Sequence, residues 1–140
     1  MKKLLKFDRI GVIYKIVRRG LERMIKGIGI DMVELSRIET IIANKSSFVK
    51  RVLTDKEHEL FQALPHKRQV EFLAGRFACK EAFSKAWGTG IGSVGLQDIE
   101  ILKEKNGAPK VTKSPYDGNV FVSISHTDTS AVAQIILETE

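Results

Sequence analysis

The patterns that indicate helices and strands lie in different parts of this 140-residue chain, and their order constrains the fold most. Behind an opening strand, apolar residues have helical spacing over residues 35–52, 54–64 and 69–87. Thr54 and Glu57 match a capping box that opens the middle helix, and Pro65 ends it. Strand patterns follow at 98–104, 119–125 and 131–137. This order predicts an α+β domain with helices packed on a mainly antiparallel sheet.

Two turn signals separate the predicted strands. Asn106-Gly107 is a strong hairpin signal, because both residues tolerate the positive φ angles of a tight turn. Asp117-Gly118 marks a second turn before residues 119–125. A chain of this length fits one domain, and its lone Cys79 is compatible with a reducing, cytoplasmic setting.

The positive charge of the chain is confined to its first 23 residues, which we call the leader. The formal net charge of the whole chain is +6. The leader holds eight basic and two acidic side chains, so it accounts for the entire excess. Residues 24–140 are neutral overall and offer no broad basic field for nucleic acid. We therefore predict no nucleic-acid partner.

The leader itself allows two interpretations. Ile10, Ile13, Val17 and Leu21 have the spacing of one helix face, which is typical of a basic amphipathic helix on a membrane or a partner protein. The alternative is an extension, native or not, ahead of a domain that begins at Met24. We favour the alternative, since the pattern of a compact domain starts just after Met24.

Asp31 is the first candidate for a functional residue. It follows Gly27-Ile28-Gly29-Ile30, and we expect it at the end of a short strand over residues 25–32. A carboxylate at a rigid strand end can hold Mg²⁺, which takes one or two protein carboxylates together with phosphate oxygens. Aspartate is also a favoured N-cap for a following helix, and the residues alone favour that interpretation.

The long helix carries the second group of candidates. Glu81 and Lys85 lie four residues apart on one face, as in an ordinary surface ion pair. The functional alternative makes Glu81 a metal ligand or base and Lys85 a phosphate contact. Arg76 lies nine residues before Lys85, on the opposite side of the helix, so it would act on a different anion or in a different subunit.

Two further segments carry polar or glycine-rich patterns. The loop at residues 88–92 either exposes N–H groups to an anion or simply stops the helix. Ser125 and His126 are adjacent on a predicted strand, so they point to opposite faces and cannot form a nucleophile–base pair. His126 as a ligand contact at a strand end is the better interpretation.

In this order, the segments resemble the holo-acyl-carrier-protein synthases, the small bacterial type of phosphopantetheinyl transferase. The matching segments are GIGIDMVELSRIE from Gly27, an FxxR-LT-E stretch from Phe48, RFACKEAFSKAWGTGIG from Arg76, the NGAP hairpin, and VSISHT near the end. The resemblance runs from Met24 to the C-terminus and leaves out the leader.

This resemblance implies transfer of 4′-phosphopantetheine from coenzyme A to a serine of apo-acyl-carrier protein, with release of 3′,5′-ADP. It implies that Asp31 and Glu81 hold Mg²⁺, that Glu81 acts as base directly or through metal-bound water, and that Lys85 holds phosphate. The residues that it assigns to the coenzyme A pocket are Arg76, Lys85, Gly88, Thr89, Gly90, Ile91 and His126.

The resemblance also implies an acidic carrier-protein partner and a homotrimer with active sites between subunits. Basic residues outnumber acidic ones between Ser36 and Arg51, which suits such a partner. The predicted docking surface consists of Arg37, Ile41, Phe48 and Arg51. The sequence leaves open whether the carrier serves fatty-acid or polyketide synthesis.

Overall fold

A computed structural model describes residues 23–88 and 93–140, together with two short strands in the leader. Its elements are β1 (Lys6–Phe7), β2 (Ile13–Tyr14), β3 (Ile25–Glu34), α1 (Leu35–Asn44), α2 (Ser46–Val52), α3 (Asp55–Gln62), α4 (His66–Trp87), a 3₁₀ turn (Leu96–Asp98), β4 (Glu100–Lys103), β5 (Pro109–Lys113), β6 (Asn119–His126) and β7 (Ser130–Glu138). All described strand pairs are antiparallel. The predicted α+β class is confirmed.

The main sheet has three strands in the order β3-β7-β6. One face of this sheet, the inner face, packs against α4, and the other is the outer face. Strands β4 and β5 form a separate hairpin closed by the predicted Asn106-Gly107 turn, in which Gly107 has a φ of 86°. Positive φ is easy only for glycine, so the turn follows directly from the local sequence.

Helix α4 is the central element of the core. Leu73, Ala78, Ala82 and Phe83 on this helix are fully buried. The main sheet contacts α4, and so do helices α1, α2 and α3. A helix buried on most sides carries apolar or small residues around much of its circumference.

The contact between β3 and α4 depends on two glycines. A Cβ atom on Gly27 would lie 2.0 Å from the carbonyl oxygen of Ala86, and one on Gly29 would lie 1.8 Å from that of Ala82. Any side chain at these positions would therefore push the strand away from the helix. Since alternate strand residues share a face, Asp31 is the next residue turned toward α4.

The structure corrects the predicted position of Asp31. Strand β3 continues to Glu34, so Asp31 lies within the strand and not at its end. Glu34 is the N-cap residue of α1, so the N-cap interpretation of Asp31 is wrong. The strand is longer because Met32, Val33 and Glu34 keep pairing with the N-terminal part of β7.

The single helix predicted over residues 35–52 is two helices. Lys45 leaves the helical region, with φ −140° and ψ 66°, between α1 and α2. Asn44 and Ser46 flank it, and such short polar residues compete with helical backbone bonds. The predicted capping box of α3 is confirmed: Thr54 Oγ1 accepts from Glu57 N at 3.3 Å, and Glu57 Oε2 accepts from Thr54 N at 2.9 Å.

Where it is described, the leader differs from the amphipathic-helix interpretation, which was not the favoured one. Ile13–Tyr14 is a strand paired with Lys6–Phe7, and a β-branched residue followed by an aromatic one favours extended backbone. The other residues of the predicted apolar face, Ile10, Val17 and Leu21, lie outside the described residues.

Candidate active site

Asp31 and Lys85 meet where β3 crosses α4. Lys85 Nζ donates to Asp31 Oδ1 at 2.9 Å and to the carbonyl oxygen of Ile30 at 3.0 Å. The sequence suggested an ion pair between Lys85 and Glu81. Among the ion pairs of the described ranges, Lys85 instead pairs with Asp31. Lys85 can reach Asp31 because the close contact at Gly27 and Gly29 brings β3, and with it Asp31, next to α4.

Glu81 completes a cluster with these two residues, which we call the carboxylate cluster. Partial burial raises the pKa of Glu81, and the negative charge of Asp31 raises it further. The positive charges of Lys85 and Arg37 oppose this rise in pKa. A carboxylate whose ionisation is disfavoured by a second carboxylate, beside a lysine, is suited to binding a cation or handling a proton.

The cluster offers few protein ligands for a metal. Within the described parts of the chain, no group of three or more His, Cys, Asp or Glu side chains is arranged to hold an ion. Two carboxylates fit Mg²⁺, which keeps several waters and takes substrate phosphates as its other ligands. A closed structural site for a softer metal would need more nitrogen or sulfur ligands.

Arg76 belongs to a second cluster, centred on a cavity of about 230 Å³. Its side chain is only 5% exposed, and its Nε donates to the carbonyl oxygen of Ile101 at 3.2 Å. The guanidinium carbon lies 4.0 Å from the centroid of the Phe72 ring. Its Nη2 is buried without a hydrogen-bond partner among the described residues. A charged donor of this kind is costly to bury unless an anion takes it up.

Other polar side chains line the same cavity, which we call the arginine cavity. Arg68, Lys103, His126 and the acidic Glu71 border it together with Gly107. His126 Nε2 lies 3.9 Å from Glu71 Oε2. Arg68 and Lys103 were not among the predicted site residues. Arg68 lies eight residues before Arg76 on α4, and residues with this spacing lie on roughly the same face of a helix, which could have indicated it.

The two clusters lie at opposite edges of the main sheet. Asp31 is on the edge strand β3 and His126 on the edge strand β6, with β7 between them. Two strand spacings amount to about 10 Å, and α4 adds its own width. Arg76 bonds to Ile101 on β4 and Lys85 to Asp31 on β3, as expected of residues on opposite sides of α4.

The remaining predicted residues have mixed outcomes. Gly88 adopts the left-handed conformation at the end of α4, with φ 87°, and its N–H bonds to the carbonyls of Ser84 and Lys85, which supports the helix-stop interpretation. Thr89, Gly90 and Ile91 lie outside the described residues. Ser125 pairs with Val132 and His126 with Ala131, so these neighbours face opposite sides of the sheet as expected.

The predicted docking residues lie on α1 and α2. Arg37 and Arg51 are exposed, and Ile41 and Phe48 are half-buried. The Phe48 ring packs on that of Phe77 with centroids 5.6 Å apart. The charge of Arg37 lowers the pKa of Glu81, so the Arg37 end of this surface lies near the carboxylate cluster.

Comparisons with known proteins place this geometry in a family. Residues 27–136 match the model of the 4′-phosphopantetheinyl transferase superfamily. The chain is 70% identical over 117 residues to the holo-[acyl-carrier-protein] synthase of Enterococcus faecalis, covering 84% of this chain and 100% of that protein. The synthase of Streptococcus thermophilus is 56% identical over 115 residues, covering 82% and 97%.

Solved structures agree with these relatives. A holo-(acyl-carrier-protein) synthase from Bacillus anthracis, in complex with CoA (3′,5′-ADP), superposes with a TM-score of 0.78 at 46% identity over 84% of this chain and 99% of that one. The Helicobacter pylori synthase in complex with coenzyme A has a TM-score of 0.69 at 36% identity over 79% and 98%. None of the helices in the described residues has the length and apolar character to cross a membrane. The expected fold and enzyme class are thus confirmed, and the chain belongs to the holo-[acyl-carrier-protein] synthases of the 4′-phosphopantetheinyl transferase superfamily.

Proposed function

We propose that this enzyme transfers 4′-phosphopantetheine from coenzyme A to a serine of an acidic apo-acyl-carrier protein. The observation that carries the proposal is the carboxylate cluster of Asp31, Glu81 and Lys85 in a chain of this family. In the reaction the serine oxygen bonds to the β-phosphorus of coenzyme A. The bond from that phosphorus to the bridging oxygen breaks, and 3′,5′-ADP leaves.

Asp31 and Glu81 are the proposed ligands of Mg²⁺. Their two carboxylates leave room for the water and phosphate oxygens that this ion retains. When bound, the ion supplies positive charge that stabilises the negative charge developing on the transferred phosphoryl group. The donor set of this chain fits that role, since it consists of oxygen ligands alone.

Glu81 is the proposed base for the serine hydroxyl. Its raised pKa brings its proton affinity closer to that of a useful base near neutral pH. A water between Glu81 and the serine would serve the same purpose. In either case the serine proton ends on or beside the Glu81 carboxylate as the new phosphate ester forms.

Lys85 is the proposed phosphate contact beside the base. Its ammonium has three N–H donors, and Asp31 Oδ1 and Ile30 O accept from it. A donor therefore remains for a phosphate oxygen of coenzyme A. The two bonds also hold the ammonium in place before the substrate arrives, which reduces the reorganisation needed during the reaction.

The arginine cavity is the proposed site for the adenosine and phosphate portion of coenzyme A. The buried, unpartnered Nη2 of Arg76 supports this assignment, since a phosphate oxygen would satisfy it. Arg68, Lys103 and His126 add positive or titratable groups at the same cavity. Gly88, Thr89, Gly90 and Ile91 remain predicted contacts of the substrate.

A homotrimer is the proposed assembly, because a complete site then forms between subunits. The large apolar side chains of the outer face are exposed by more than half, namely Ile28 (58%), Ile30 (58%), Met32 (67%) and Phe121 (51%). Large exposed apolar side chains gathered on one sheet face are typical of a protein interface. Head-to-tail contacts that close a ring would bring the β3 edge of one subunit to the β6 edge of the next.

The proposal assigns the transferase domain to residues 24–140 and treats residues 1–23 as a separate leader. The family match over 27–136 supports this boundary.

The proposed docking surface for the carrier has basic residues at its rim and apolar anchors between them, and it consists of Arg37, Ile41, Phe48 and Arg51. A cytoplasmic setting is part of the proposal, and the free thiol of Cys79 is compatible with it.

The direct test is the mass of the carrier protein. The purified enzyme is incubated with coenzyme A, Mg²⁺ and an apo-acyl-carrier protein, and the carrier is weighed by mass spectrometry. We expect a gain of one phosphopantetheine group with the wild-type chain and none with Glu81→Gln. An unchanged mass across several carriers with the folded wild-type enzyme would overturn the proposed function.

A further inference from the structure

The residue next to the proposed base is a lysine without solvent exposure. Lys80 is 0% exposed, and so is its partner Glu57 on α3. Lys80 Nζ donates to Glu57 Oε2 at 2.6 Å and to the carbonyl oxygen of Val52 at 2.5 Å. Burial lowers the pKa of Lys80, and the charge of Glu57 opposes that shift.

Glu57 connects this lysine to two other parts of the core. Its Oε2 also accepts from Thr54 N at 2.9 Å, which completes the capping box of α3. Its Oε1 accepts from Ile101 N at 2.8 Å, in β4. The pair therefore ties α4 to the end of α2, the start of α3 and the β4–β5 hairpin.

Stability alone does not account for this buried pair. Two charges lose their hydration on burial, and replacing such a pair by apolar residues is often neutral or stabilising. Its hydrogen bonds are directional, however, and they fix one geometry where apolar packing would allow several. The pair is thus suited to setting the orientation of α4.

On the opposite side of α4, the described side-chain hydrogen bonds to β3 come from the exposed Lys85, which donates to Asp31 and to the carbonyl oxygen of Ile30. A solvent-exposed pair of this kind constrains the helix less than a buried one. Strand β3 meets α4 through Gly27 and Gly29, whose backbone rests on the carbonyls of Ala86 and Ala82. This contact is close, but the glycines contribute no side chains that interlock with the helix. Interdigitated side chains are what ordinarily set the angle and register of a packed helix.

We propose that Lys80 and Glu57 are positioning residues for the transfer reaction, holding α4 in the rotation that turns Glu81 toward Asp31. The inference rests on the proposed role of the carboxylate cluster. Adjacent helical residues point about 100° apart, so anchoring Lys80 on the α2–α3 side presents Glu81 to a different side of the helix. A change in the rotation of α4 would separate Glu81 from Asp31 without removing either ligand.

The test compares Lys80→Met, Glu57→Gln and the double variant with the wild-type protein. Lys80→Met leaves the Glu57 charge buried without its partner, so it should lower the melting temperature most. The double variant removes both charges and should regain part of that loss. All rates are measured at a temperature at which circular dichroism shows each protein to be folded.

We expect the double variant to have a kcat about 10–100-fold below that of the wild-type protein, which is the usual effect of losing the support of a metal ligand. Its affinity for Mn²⁺, used as a probe for Mg²⁺ and measured by electron paramagnetic resonance with 3′,5′-ADP present, should fall by a similar factor. The matched control is Leu73→Ala, on the same helix and fully buried. It should lower the melting temperature but retain the kcat and the Mn²⁺ affinity.

Wild-type kcat and Mn²⁺ affinity in the folded double variant would overturn the inference and leave the pair a purely structural role. Equal losses in Leu73→Ala would also overturn it, since any loosening of the core would then explain the effect. Failure of the wild-type protein to modify the carrier is a separate result, which would count against the proposed function.

Discussion

Gly29→Ala tests how the fold brings the carboxylate cluster together. The added Cβ would lie 1.8 Å from the carbonyl oxygen of Ala82 and 2.8 Å from Ala86 N. Contacts shorter than 3.0 Å are not tolerated, so β3 must move away from α4 by at least about 1 Å. Overpacking of this kind costs about 1–3 kcal/mol, and a clash with rigid backbone belongs at the upper end.

The same displacement should damage catalysis as well as stability. Asp31 is the next inward-facing residue after Gly29, and its carboxylate bonds to Lys85 at 2.9 Å. A retreat of about 1 Å breaks that bond and separates Asp31 from Glu81. Misplacement of this size can reduce a rate about 100-fold. The melting temperature should fall by about 10 °C, from roughly 3 kcal/mol at 3–4 °C per kcal/mol for a chain of this size.

Two assays measure these effects at one fixed protein concentration, since an oligomer's melting temperature depends on concentration. Carrier mass spectrometry gives the initial rate, and circular dichroism gives the melting temperature. Gly75→Ala is the control for the melting temperature alone, since Gly75 lines the arginine cavity. Its Cβ would meet only the Ile124 side chain, at 3.3 Å from Cγ2, and alanine favours a helix by about 1 kcal/mol. Wild-type rate and melting temperature in Gly29→Ala would refute the reasoning.

Three further variants test individual parts of the site. Glu81→Gln should abolish transfer; without Mg²⁺ it should also melt at a higher temperature than the wild-type protein at pH 8, but not at pH 4. The raised pKa of Glu81 means that its ionisation destabilises the fold as pH rises through that pKa, and an equal difference at both pH values would contradict this. Arg76→Met should weaken coenzyme A binding about 10–100-fold by calorimetry, because a charged hydrogen bond is lost; unchanged affinity would remove Arg76 from the pocket. Arg37→Glu should raise the KM for the carrier and make that KM less dependent on salt, while the KM for coenzyme A stays the same. A change in the KM for coenzyme A with no change in the KM for the carrier would refute the docking role.

The parts of this fold that local sequence determines were predictable. The capping box of Thr54 and Glu57 uses residues three apart, and the Asn106-Gly107 turn needs only its own backbone freedom. Both features satisfy hydrogen bonds or φ angles within a few residues. The break at Lys45 was missed, because apolar spacing continues across it and only tertiary packing separates α1 from α2.

The site was predictable in its residues but not in its contacts. Lys85 was expected beside Glu81, yet it bonds to Asp31, 54 residues away in sequence. Lys80 has the ordinary appearance of a surface lysine, but its partner Glu57 lies 23 residues away on another helix. The sequence around a charged residue does not show whether that residue is buried, so ion pairs between residues distant in sequence can be identified only from the tertiary fold.

The claim that the active site is assembled from two subunits can be measured by complementation. Glu81→Gln damages the carboxylate cluster, and Arg76→Met damages the arginine cavity, so at a coenzyme A concentration far below the KM of the Arg76→Met variant each trimer alone should be nearly inactive. When the two variants are co-expressed in equal amounts and form mixed trimers, about one quarter of the interfaces combine two intact halves. The account predicts recovery of about that fraction of wild-type activity. Mixed trimers that recover no activity, while each variant remains folded and trimeric, would contradict it.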